Sequence, residues 1–399
     1  MPPRSRSSLS RTSQTLISLA ESLSRSGSHL EDTYWENRLG EALDKAMGAR
    51  HGRAVESALD ALLEQRSAAY ELLVELAEAR SESLMPGPDG QDCDALLISA
   101  PILAWTRYRL PNGQLSATRL QALESLLADT VLGPGARITL LPSLIRFDRL
   151  PQSFQETRSW TQTLAQRALG QRRDGPTLRD ADAPEDLLAD VFFLIGAVVV
   201  PRGGAVFQWQ SPTVAEPSSQ DTAAARWAEG CARILEPIFT GCQLEYLRPE
   251  AYYTSTRQAD QSIRPLSLKA AATWLQTAAR IPGTELRAAL VACGEQAIEE
   301  YRIGFCTRNS NDVIYGCVWP ALSREESQPD PDTENQVDTW DTIAALLREC
   351  GIQDIRRLPG LQPMEFCEDC GTPYFPNMLG EMQHPELPEE IDPEPVRFH

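Results

Sequence analysis

Apolar residues recur at three- and four-residue spacing through the first eighty positions. Leu16, Leu19, Ala20 and Leu23 share one helical face, and Ser26-Gly27-Ser28 interrupts it. Trp35, Leu39 and Leu43 resume the period within 30–47. After Gly52 it continues through Val55, Leu59, Leu62, Leu63, Leu73 and Leu76. Each stretch has one apolar stripe and a charged back, so the pattern predicts a helical domain over 10–84 that buries those stripes against one another or a neighbour. Met85-Pro86-Gly87-Pro88-Asp89-Gly90 marks a linker, placed at 85–93.

Beyond the linker the period shortens. Three β-rich stretches end on tryptophan, at Trp105, Trp209 and Trp319. Each leads through a polar loop to a helix with a capping residue (Ser116, Asp221, Asp338), then to a glycine (Gly135, Gly241, Gly351) suited to a left-handed turn. A short strand then runs to Pro142, Pro249 or Pro359. The spacing predicts an α/β core over 94–360 with three strand–helix–strand units, at about 94–150, 187–250 and 300–360; unrelated α/β segments also produce such spacings by chance.

Within the second unit, 192–200 is expected to turn at Arg202-Gly203-Gly204 into a hairpin with 205–209. Within the third, 301–306 is expected to turn through Asn309-Ser310-Asn311-Asp312 into 313–319. The first unit departs, with Pro101 inside its strand. Further helices are expected at 152–169, 267–280 and 284–300, and polar loops at 171–184 and 327–336.

Composition narrows the function. Hydrophobic residues make up 42% of 399, enough for a sizeable core. The formal charge of −19 weighs against a binder of nucleic acid or anionic membrane. From Ala321 onward the chain carries 18 Asp and Glu against 5 Arg, so the excess is concentrated late, with an acidic tail at 386–399 and another tail at 1–9. The longest apolar run, 191–200, is half of what spans a bilayer and reads as a buried strand. Nine scattered cysteines fit a reducing compartment, hence a cytoplasmic protein.

One motif carries sharp chemistry. Cys367-Glu368-Asp369-Cys370-Gly371 has the spacing of a zinc knuckle, two thiolates separated by a turn that glycine helps close. His384 supplies a third ligand as Cys-x2-Cys-x13-His. Cys350, Cys306, Cys317 or Glu386 are candidates for a fourth. The segment 361–385 is therefore expected to hold structural zinc, unliganded thiols and a thioredoxin-like redox pair being the alternatives. Glu368 and Asp369, which raise a thiol's pKa, and the Pro-rich acidic setting weigh against the redox pair.

Arg302-Ile303-Gly304-Phe305, the stretch Asp312 to Pro320, and Pro363 to Gly371 resemble a family of proteobacterial proteins classed as a domain of unknown function. The resemblance covers most of the chain and implies a bacterial cytoplasmic protein, with no activity to carry over.

The chain lacks a Walker G-x-x-x-x-G-K-[ST], a G-x-G-x-x-G after a strand, H-E-x-x-H and G-x-S-x-G. Only four histidines (His29, His51, His384, His399) and two lysines (Lys45, Lys269) exist, which removes most candidates for a catalytic base or Schiff base. The expectation is an α+β protein acting as a non-enzymatic adaptor or regulator with a protein partner, neither nucleic acid nor membrane being expected as partners. The alternative is a metal-assisted hydrolase or nuclease built on Cys367, Cys370 and His384.

Overall fold

The computed structural model describes residues 9–48, 53–84, 93–106, 110–179, 188–210, 220–328 and 338–388. The linker at 85–92, His51, residues 1–8 and 389–399 of the tails, and 180–184 and 329–336 of the polar loops lie outside the described residues.

Four helices form the N-terminal part: α1 (Arg11–Ser24), α2 (His29–Gly48), α3 (Ala54–Glu64) and α4 (Ala69–Glu82). Ser10 caps α1, its hydroxyl accepting from the Ser13 N–H at 3.0 Å. Leu16, Ala20, Leu39, Leu43, Leu62 and Leu73 meet in one cluster with no solvent exposure, so the helical stripes pack chiefly on each other.

A first sheet follows. The short β1 (Ser83–Leu84) and β2 (Cys93–Trp105) lead to α5 (Ala117–Thr130), β3 (Arg137–Leu140) and α6 (Phe154–Ala168). Then come β4 (Ala189–Pro201), α7 (Gln220–Leu235), β5 (Gln243–Tyr246), β6 (Glu250–Ala251) and the 26-residue α8 (Tyr252–Thr277). β2 and β4 are the antiparallel centre, paired from Cys93↔Pro201 to Trp105↔Ala189. β3 lies outside β4, and β5 outside β2, giving the order β5–β2–β4–β3. Thus β2–α5–β3 and β4–α7–β5 are two split β-α-β units, each lending its second strand to the other's first, in ferredoxin-like order. Leu123 and Leu127 of α5 and Trp227 and Leu235 of α7 cover one face; Trp160 and Leu164 of α6 and Tyr252 and Ala259 of α8 cover the other. Burial on both faces explains the uninterrupted apolar run of β4.

Pro101 sits in this central strand without cost. Its partner Phe193 directs its backbone groups to Ile145, so Pro101 faces the opposite edge, where its carbonyl accepts from Leu247. That edge is where β2 changes partner from β6 to β5, and the Leu247 carbonyl, opposite the missing N–H, accepts from the Trp227 indole N–H at 3.1 Å instead.

A second sheet contains β7 (Leu286–Cys293), β8 (Glu300–Thr307) and β9 (Tyr315–Pro320). After the short α9 (Arg324–Ser327) and α10 (Thr339–Glu349), β10 (Asp354–Gln362) completes the order β10–β7–β8–β9. The β8–β9 hairpin runs as the sequence predicts, whereas β10 pairs in parallel with β7. Leu268 and Leu275 from the C-terminal half of α8, with Ile343 and Leu347 of α10, fill one face. α8 therefore belongs to the cores of both sheets. The chain is α+β, with helices leading and mixed sheets following.

Three local expectations fail for physical reasons. The segment 205–209 does not return as a strand along β4. Phe207 bridges to Leu132 instead, and Gln208–Gln210 form a 3-10 turn in which Trp209 stacks on Phe207. The segment 284–300 is β7 and a turn, not a helix: Ala288, Ala289, Leu290 and Val291 are buried on both faces, erasing the alternation that marks a strand. Asp221 falls inside the first turn of α7, whereas Ser116 and Asp338 cap α5 and α10. Gly135, Gly241 and Gly351 all have the expected positive φ.

Candidate metal centre

The second face of the second sheet is covered by the chain's own C-terminal segment. Along β8, Tyr301, Ile303 and Phe305 point to α8 and α10, so Glu300, Arg302, Gly304 and Cys306 point the other way. There Leu358, Phe375 and Met378 pack with Val291, Cys293, Cys306 and Val313.

After β10 the chain turns into a narrow loop. Phe366 bridges to Pro373, the Tyr374 N–H donates to the Glu365 carbonyl at 3.1 Å, and the Cys367 N–H donates to the Thr372 carbonyl at 2.8 Å. Cys367 and Cys370 occupy the tip. The Gly371 N–H donates to the Cys367 carbonyl at 2.9 Å, and Gly371 has φ +72°, the left-handed conformation that the closing turn requires.

Two short strands then place the histidine. β11 (Phe375–Pro376) pairs antiparallel with β12 (Met382–Gln383), with Phe375 opposite Gln383. Asn377 holds the turn between them, its side-chain Oδ1 accepting from the Leu379 and Glu381 N–H groups at 2.8 and 3.0 Å. Tyr374 and His384 are the next residues outward, and their rings pack edge to face at 6.5 Å. Thirteen intervening residues are the length of this excursion.

The result is that Cys367, Cys370 and His384 come together. Their ligand atoms lie within 4.8 Å of one another, and Cys370 Sγ is 3.2 Å from His384 Nε2. Cys370 is exposed, while Cys367 and His384 are half-buried. Hydrogen bonds from the Thr372 hydroxyl and backbone N–H, then from His384 and Cys367, bring the Cys370 thiol down to about 6, the reverse of the rise expected from Glu368 and Asp369. Such a group could hold a metal ion. Cys306, Cys317, Cys350 and Glu386 do not join it. Cys306 Sγ donates to the Asn311 carbonyl, and Glu386 is engaged through its backbone N–H with the Val313 carbonyl at 2.8 Å.

Arg302 was not apparent from the sequence as part of this centre. Its side chain is fully buried in β8. Nε donates to Glu300 Oε1 at 2.6 Å, and Nη1 donates to the carbonyls of Glu365 and Tyr374 at 2.7 and 2.8 Å. Those two residues are the feet of the cysteine loop. The guanidinium also lies 5.0 Å from the centroid of Phe366. An arginine among apolar strand residues, two positions from a glutamate, is the only local hint of this role.

Among the described residues no helix is long and apolar enough to cross a membrane. A family profile described as a protein of unknown function (DUF2863) matches residues 2–398, and the chain belongs to that family. No curated protein and no solved structure matched.

Proposed function

We propose that Cys367, Cys370 and His384 bind structural zinc, and that the protein is a cytoplasmic, non-enzymatic adaptor or regulator whose C-terminal segment is held by this clasp. The approach of Cys370 Sγ to His384 Nε2, 3.2 Å across fourteen residues of chain, carries the reading. Around zinc with bonds of about 2.3 Å to sulfur and 2.0 Å to nitrogen, tetrahedral ligand atoms sit roughly 3.5–3.8 Å apart, within reach of this group by small side-chain rotations. Zinc is favoured by the donor set, two thiolates and an imidazole. All nine cysteines are free thiols, consistent with a reducing compartment.

Zinc closes a loop from the cysteine turn to the end of β12, and the residues inside that loop, Phe375 and Met378, cover the second sheet. Losing the ion would therefore loosen a face of the core. Treating the full-length protein with a zinc chelator should speed proteolysis within 363–388 while the helical domain and first sheet stay intact. Equal cleavage with and without chelator would refute the clasp.

A metal-assisted hydrolase is the second reading. It is favoured by the count of protein donors, three among the described residues, as in zinc sites that keep a position for water. It predicts chelator-sensitive turnover with the fold unchanged. The acidic residues around the loop weigh against nucleic acid as the partner in either case.

A further inference from the structure

We propose that the cleft between Trp105 and Trp274 binds an uncharged planar heteroaromatic ring, single or fused to a second, with a hydrogen-bond donor and acceptor on its edge. The site lies on the opposite face of the second sheet from the metal centre and needs no metal.

The cleft exists because α8 serves two sheets. Its N-terminal half covers the first sheet and its C-terminal half covers the second. Where the helix leaves the rim of the first sheet, a cavity of about 260 Å³ remains. One wall is the end of that sheet. Trp105 of β2 and Gln243 of β5 are directly paired there, and strand alternation puts Trp105 on the same face as Leu103, toward α8. The other wall is one face of α8, with Ala270, Thr273, Trp274 and Thr277 at helical spacing.

Both indoles are held from behind. Trp274 is 8% exposed and packs on Tyr315 with ring centroids 5.5 Å apart. Next to Trp105, the Thr106 N–H donates to the Leu188 carbonyl at 2.8 Å and the Thr106 hydroxyl to the Gly241 carbonyl at 2.9 Å. The cleft is therefore preformed, as small-molecule sites usually are. The other two tryptophans that close β-rich stretches face protein groups instead. Trp209 stacks on Phe207, and Trp319 is buried beneath the Arg264 guanidinium.

The lining selects the ligand class. Two indoles favour a flat aromatic ring over a puckered one. Gln243 brings an amide that both donates and accepts, and Thr273 brings a hydroxyl. The Thr277 hydroxyl donates to the Thr273 carbonyl at 2.8 Å and keeps its oxygen as an acceptor. A ring with a donor and an acceptor on its edge matches these groups, whereas a hydrocarbon ring strips them of water and returns nothing. Trp105, Gln243, Thr273, Trp274 and Thr277 are all uncharged, so a charged ligand would lose hydration and gain no opposite charge from them. The volume falls just below the range of sites for drug-sized ligands, which limits the occupant to one or two rings.

Fluorine NMR of the full-length protein labelled with 5-fluorotryptophan tests this, with Trp105→Phe and Trp274→Phe assigning the two signals. Adenine and nicotinamide are the probes. Both signals should shift saturably with a Kd of about 1 mM or lower, the range for about ten non-hydrogen atoms. Tighter binding of adenine assigns a fused ring, and of nicotinamide a single one. Gln243→Leu, at the exposed rim, should weaken binding about three- to tenfold through the lost hydrogen bond. Thr273→Leu fills the cleft and should abolish the shifts. Cyclohexanecarboxamide carries the amide of nicotinamide on a saturated ring and should bind at least about tenfold more weakly. The assignment fails if neither probe moves these two signals, or if all tryptophan signals move alike. It fails equally if cyclohexanecarboxamide matches nicotinamide, if AMP binds more tightly than adenine, or if Gln243→Leu and Thr273→Leu both bind as the wild type does.

Discussion

Gly304 of β8 and Gly316 of β9 are directly paired across the hairpin, and the two together make the floor on which β11 lies. A Cβ at position 304 would overlap the Pro376 carbonyl oxygen, and one at 316 would overlap the Phe375 ring. The close approach of backbone to sheet is what lets the C-terminal segment serve as the second face of the core.

Gly304→Ala is therefore expected to destabilise the protein by about 1–3 kcal/mol, the usual cost of overpacking where the obstacle is backbone. Urea unfolding followed by tryptophan fluorescence gives the magnitude. Limited proteolysis should show 363–388 cut first in the variant, since the clash is with that segment alone. Gly135→Ala, a control on an open turn with positive φ and no neighbour within 4 Å, should leave 363–388 protected.

Arg302 ties the same segment to β8 by a different means. Replacing it with methionine strands the largely buried Glu300 carboxylate and leaves the carbonyls of Glu365 and Tyr374 without their donor. A loss of about 3–5 kcal/mol is expected at pH 7, as for removal of one partner from a buried pair. The double variant Arg302→Met with Glu300→Gln should regain part of it, because the unpaired charge is gone. Thermal denaturation of the three proteins checks both statements.

Glu82 joins the helical bundle to α8, which covers the first sheet. Glu82, at the end of α4, accepts from the Tyr253 N–H at 3.0 Å and so caps α8, whose own N-cap Ala251 has no side chain to do it. Burial pushes the Glu82 carboxyl up to about 7, outweighing that hydrogen bond. A raised carboxyl pKa means that the folded state holds a proton the unfolded state has released, so stability falls as pH rises from about 4.5 to about 7. Glu82→Gln keeps an acceptor and removes the charge. It should stabilise the protein at pH 8 by about 1–2 kcal/mol, solvent at the partly exposed carboxylate screening the rest, and have no effect at pH 4. Chemical denaturation at the two pH values measures the difference.

The sequence disclosed features whose cause is local. Leu16, Ala20 and Leu23 announce α1 because one helical face decides their burial. The Asn309–Asp312 turn announces the β8–β9 hairpin. Cys367, Cys370 and His384 could be grouped because their spacing is the length of a turn and a hairpin. What stayed hidden depends on distant partners. β7 reads as a helix because both of its faces are covered by segments far along the chain. Gly304 and Arg302 have meaning only through Pro376, Glu365 and Tyr374, more than sixty residues away. The strand exchange between the two split β-α-β units is likewise invisible to periodicity, which says that a strand exists and not which neighbour it takes.

The most direct test of the account is the zinc content of the purified full-length protein, measured by elemental analysis alongside protein concentration. One zinc per chain is expected, falling to near zero in Cys370→Ser and in His384→Ala, with 363–388 becoming susceptible to protease in both. Zinc-free wild-type protein whose C-terminal segment is as protected as it is in the presence of added zinc would contradict it.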